Sequence, residues 1–103
     1  MNLQEFRATL ANDTPPQGIS TALQAMWHQG KGDWDAAHSL AQSDKSSFGS
    51  WVHAHLHRVE GAKVNAAYWY RLAGKPFCTL RNYEEWVEIV GALVRGSDWL
   101  LRG

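Results

Sequence analysis

The densest run of side chains able to carry chemistry is His53-Ala54-His55-Leu56-His57-Arg58-Val59-Glu60. In a helix, His53, His57 and Glu60 fall within about 60° of arc. Two imidazoles one turn apart can bind a divalent metal, and a carboxylate on the same face can complete the site. Any further ligand has to come from another helix. The arc lies away from the apolar stripe of its own helix, so its simplest reading is a solvated face. A metal- or small-molecule-binding site, or an enzyme site, on His53 and His57 with Glu60 beside them is the alternative. His55 differs, because it falls within the apolar stripe and reads as a core histidine held by a hydrogen bond.

A second group of candidates is Tyr68-Trp69-Tyr70-Arg71. Aromatic residues and arginine are favoured at interaction hot spots. Trp69 and Tyr70 share a helix face with Ala66 and Ala73 and read as packing, which leaves Tyr68 and Arg71 as the surface candidates. Cys78 is the only cysteine, which excludes a disulfide framework and a thiolate-rich metal centre. No phosphate-binding glycine loop, nucleophile elbow or H-E-x-x-H pair occurs, so no catalytic residue is assigned and no cofactor is expected other than that alternative metal.

These residues need helices to position them, and the 103-residue chain supplies them as one all-α domain. Leu3, Phe6 and Leu10 predict a first short helix, broken by Pro15-Pro16. A second helix is expected from about Gln17 to Gln29, with Ile19, Ala22, Leu23, Met26 and Trp27 as its stripe. Gly30-Lys31-Gly32 ends it, and Asp33 caps a third helix from Trp34 to about Gln42. The fourth runs from about Ser47 to Glu60, and the fifth from about Lys63 to Ala73. A shift of 29 residues superimposes Ile19, Ala22, Leu23, Met26 and Trp27 on Phe48, Trp51, Val52, His55 and Leu56. In the partner helices the shift is 30, matching Ala36 to Ala66 and Leu40 to Tyr70. The pattern predicts antiparallel hairpins over about 17–43 and 47–74.

Val64, Tyr68 and Leu72 form a second apolar face on the fifth helix, opposite Ala66, Trp69, Tyr70 and Ala73. Two apolar faces predict a helix buried on both sides. Asn82 is expected to cap a closing helix over about 82–95, with Glu85 as its capping-box partner. The tail Ser97-Asp98-Trp99-Leu100-Leu101 is apolar enough to dock on the body or on another chain.

Gly61-x-x-x-x-Ala66-Ala67-x-Trp69-Tyr70-Arg71-x-Ala73 resembles the second helix of tetratricopeptide-like repeats, and Gly32-Asp33-Trp34-Asp35-Ala36-Ala37 resembles the start of that helix in a preceding repeat. The usual Leu-Gly pair of the family's first helix is missing. Trp51-Val52-His53 leading into Tyr68-Trp69-Tyr70-Arg71 is also similar to a set of small uncharacterised bacterial proteins. The resemblance implies a short array of stacked hairpins with flanking helices, acting as a protein-interaction scaffold. The expected partner is therefore another protein or a second copy of the chain, as a homodimer through the terminal helix or tail.

Ten Lys and Arg balance ten Asp and Glu. That leaves no large electrostatic footprint for nucleic acid or an anionic membrane, and no run of Lys and Arg suggests a local one. The start Met1-Asn2-Leu3-Gln4-Glu5 has an early acid and no apolar run. No stretch approaches the roughly 18 apolar residues of a membrane span. The expected compartment is the cytoplasm.

Overall fold

A computed structural model describes residues 1–102, with side chains described through residue 96. Six α-helices follow one another: α1 (Leu3–Ala8), α2 (Thr21–Gly30), α3 (Trp34–Ser43), α4 (Ser47–Val59), α5 (Lys63–Ala73) and α6 (Asn82–Arg102). Among the described residues there is no strand.

The helix starts follow from local chemistry. Ser20, Asp33 and Ser46 each accept a hydrogen bond from the backbone N–H three residues on, at 3.1, 3.1 and 3.3 Å, which satisfies one of the orphan donors of a first turn. Ser20 also explains why α2 begins at Thr21 rather than near Gln17. The turns after α2 and α4 are the same motif. Gly32 and Gly61 take φ of 83° and 87°. The next N–H in each case returns to a helix carbonyl, Asp33 to His28 at 2.9 Å and Ala62 to His57 at 2.8 Å. A side chain at either glycine would be strained in this left-handed conformation.

Helix α4 is the centre of the molecule. It packs against α2, α3, α5 and α6. Trp51, Val52, Ala54 and Leu56 are buried on it, and so are His53, His55 and His57. The solvated-face reading of His53 and His57 is therefore incorrect: they are 3% and 9% exposed. Periodicity located one apolar stripe on α4, but α3 and α5 cover the opposite side as well.

Tryptophan N–H groups tie the helices together. Trp34 donates to the Leu56 carbonyl at 2.8 Å, and Trp86 to the Met26 carbonyl at 2.9 Å. Each bond pairs the ring's one donor, with Trp86 buried and Trp34 half-buried.

Three other expectations are corrected. Helix α5 is buried on one side only: Ala66 and Tyr70 face the core, whereas Val64 is 85% exposed and Tyr68 and Leu72 are each 52% exposed. Glu85 does not cap α6. Its backbone N–H bonds to the Arg81 carbonyl at 3.0 Å, one residue before Asn82, and its side chain is wholly buried. The closing helix also runs past residue 95, to Arg102. The expected docking of the Trp99-Leu100-Leu101 tail concerns side chains outside the described residues.

Candidate functional site

The two faces of α4 carry two polar clusters. On the face toward α3 and α5, His38, His53 and His57 converge, each offering one ligand atom, and these atoms all lie within 4.8 Å of one another. Helix α3 supplies His38, the ligand that α4 alone could not. The His53 and His57 rings stack with centroids 4.8 Å apart, and His38 meets them edge-on at 4.6 and 5.3 Å.

Tryptophans fix the imidazole planes. Trp34 stacks on His38 at 4.7 Å with 9° between the planes, and Trp69 stacks on His53 at 3.8 Å with 12°. Glu60 bonds to Nδ1 of His57 at 2.6 Å. An ionised carboxylate accepts from Nδ1–H and leaves Nε2 of His57 as the ligand nitrogen, the arrangement in which a carboxylate orients a metal-bound histidine. His53 Nδ1 is buried without a hydrogen-bond partner. Burial, reinforced by the neighbouring His38 and His57, lowers the His53 pKa from 6.5 to about 4. A charged imidazolium is disfavoured there, so the ring stays in the neutral form that binds metals.

Three imidazoles from two packed helices suit a borderline metal such as zinc. Metal–nitrogen bonds of about 2.0–2.1 Å in a tetrahedral site place ligand nitrogens about 3.3 Å apart. The ligand atoms, all within 4.8 Å of one another, lie somewhat farther apart than that spacing.

On the opposite face, Glu85 gathers three donors. His55 Nδ1 lies 2.7 Å and Arg58 Nε 3.0 Å from its Oε1, and the Tyr70 hydroxyl donates to Oε2. Arg58 Nη1 also bonds to the Leu80 carbonyl at 2.7 Å. One carboxylate thus joins α4, α5 and α6 to the loop before α6. Burial works to raise the Glu85 pKa, but the hydrogen bonds from His55, Tyr70 and Arg58 prevail and hold it below the ordinary carboxylate value. Burial and the Glu85 carboxylate push the Tyr70 hydroxyl upward, which keeps it a donor. His55 therefore lies in the core with a hydrogen bond, as its position in the stripe implies.

Of the residues singled out in the sequence, the structure brings His53, His57 and Glu60 together and adds His38. Tyr68 touches this group only through Trp69, edge-on at 5.2 Å. Arg71 is exposed and has no part in the cluster. Cys78 is half-buried, and burial raises its thiol pKa, the reverse of an activated nucleophile. His38 and Glu85 are the residues that sequence reasoning missed. The one signal for His38 was the spacing Trp34-x-x-x-His38, which places the two rings on one helix face. No known protein family matches the chain, and no curated protein or solved structure is detectably similar to it.

Proposed function

We propose that this protein binds a divalent transition metal of the zinc class through His38, His53 and His57. The observation that carries the reading is the convergence of three imidazole nitrogens within 4.8 Å, with the Glu60 carboxylate behind one of them. Three protein ligands leave a coordination position for water or a small ligand, the composition of catalytic rather than closed structural zinc sites. The test is equilibrium dialysis of the metal-free protein against zinc, followed by metal analysis. One zinc per chain is expected, with loss of zinc-induced thermal stabilisation in His38→Ala and His53→Ala. If both variants retain wild-type metal content, the assignment is wrong.

A second reading, as a short tetratricopeptide-like array that pairs with another copy of itself, is favoured by the exposed stripe Val64, Tyr68 and Leu72 on α5. Solvent-facing apolar side chains at this spacing suit a helix-to-helix contact. Arg71 lies on the same exposed helix. Sedimentation of wild type and Tyr68→Glu tests it: a dimer that dissociates in the variant supports the contact, and a monomer in both contradicts it. The lone thiol and the absence of disulfides suit a reducing cytoplasm.

A further inference from the structure

A cleft of about 700 Å³ opens on the side of α4 away from the imidazole cluster, walled by α1, the end of α2 and the start of α6. Its volume is in the range of small-molecule sites. Tyr83 and Trp86 line it with rings 8° from parallel and centroids 6.2 Å apart. Tyr83 is 57% exposed and offers flat apolar surface to a flat ligand, with the buried Trp86 behind it. Among the described lining residues Arg7 is the only Lys or Arg, and its guanidinium lies 5.7 Å from the Tyr83 ring centroid. Among the described residues it forms no ion pair, and none of those that line the cleft is acidic.

His55 makes this cleft more than an apolar hollow. It lines the cleft although the residue is only 1% exposed. The Glu85 carboxylate, holding Arg58 and Tyr70 as well, takes the Nδ1 hydrogen. With Nδ1 engaged by Glu85, Nε2 has no protein partner among the described residues, and a ligand hydroxyl, which can donate or accept, is able to pair with it. A ligand matching all three features has a carboxylate for Arg7, an aromatic ring for Tyr83 and Trp86, and a hydroxyl or N–H for His55.

We infer that this cleft binds small aromatic carboxylic acids bearing a hydrogen-bond donor, of the hydroxybenzoate class. The site is separate from the imidazole cluster and does not require a metal.

The experiment titrates the full-length, EDTA-treated protein with 4-hydroxybenzoate, benzoate and 4-hydroxybenzylamine, followed by tryptophan fluorescence and calorimetry. Saturable one-to-one binding of 4-hydroxybenzoate is expected, with weaker binding of benzoate and none of the amine. Arg7→Gln and Tyr83→Ala alter exposed residues outside the buried core. Loss of the charged contact in Arg7→Gln is expected to weaken binding of the acid about tenfold. His38→Ala is expected to bind the acid as wild type does, which separates this cleft from the metal site. No saturation by the acid, equal binding of the amine, or an unchanged Kd in Arg7→Gln overturns the inference. Benzoate binding as tightly as 4-hydroxybenzoate removes the role given to His55.

Discussion

Replacing Glu85 with alanine removes the carboxylate on which His55, Arg58 and Tyr70 converge. Glu85 is 0% exposed, so water does not readily take its place. A buried donor left unsatisfied costs about 1–3 kcal/mol, and breaking one partner out of a buried ion pair about 3–5 kcal/mol. These costs overlap, because the freed Arg58 still holds the Leu80 carbonyl and can turn toward solvent. The expected loss is therefore about 4 kcal/mol, against a total of about 5–15 kcal/mol for a domain of this size. Urea denaturation followed by tryptophan fluorescence measures it, with a lower midpoint and an unchanged slope. Tyr70→Phe removes one donor and costs about 1–2 kcal/mol. Combined with Glu85→Ala it adds less than that, because the two residues share a hydrogen bond. A loss below about 1 kcal/mol in Glu85→Ala, or strict additivity in the double variant, would refute the view that this carboxylate joins three helices.

Acid provides a second perturbation. The His53 pKa is lowered from 6.5 to about 4, so the unfolded chain takes up a proton that the folded one refuses. The associated stability is complete above pH 6.5 and is lost as pH falls toward 4. It amounts to about 3 kcal/mol at 1.36 kcal/mol per pH unit. Denaturation of the metal-free protein across this window should show the slope, and His53→Gln should flatten it. The Glu85 pKa is lowered instead, so its contribution is present above the carboxylate value of 4.5 and is lost only at lower pH. Gly49→Ala places a Cβ against the Asp44 carbonyl oxygen and 2.7 Å from the Asp44 Cβ. A clash with backbone costs about 1–3 kcal/mol, seen as a lower Tm. Trp34→Phe loses the bond to the Leu56 carbonyl and part of the stack on His38. It should lower both thermal stability and zinc affinity, whereas a change in stability alone would separate Trp34 from the metal site.

The helices were legible because each carries its own local signal: an apolar stripe, a capping oxygen or a left-handed glycine. Their surroundings were less so. Periodicity showed that His53 and His57 share a face, but not that α3 would cover it and bring His38. Glu85 lies three residues after Asn82, the spacing of a capping box, yet Arg81 supplies the first carbonyl and turns Glu85 inward. Local sequence does not distinguish a carboxylate that caps from one that meets Arg58 and Tyr70 across three helices. The same limit explains α5, whose Val64, Tyr68 and Leu72 form a regular apolar stripe that stays exposed among the described residues. Which face is covered is a property of the assembled chain.

The visible absorption spectrum of the cobalt-substituted protein tests the central assignment most directly. Cobalt(II) follows zinc into imidazole sites, and its ligand-field bands report the number and geometry of its ligands. The account predicts one equivalent of bound cobalt with the intense bands of a four- or five-coordinate site. Those bands should be lost in His38→Ala, the variant that removes the ligand contributed by α3. A weak six-coordinate spectrum identical in wild type and His38→Ala would contradict it.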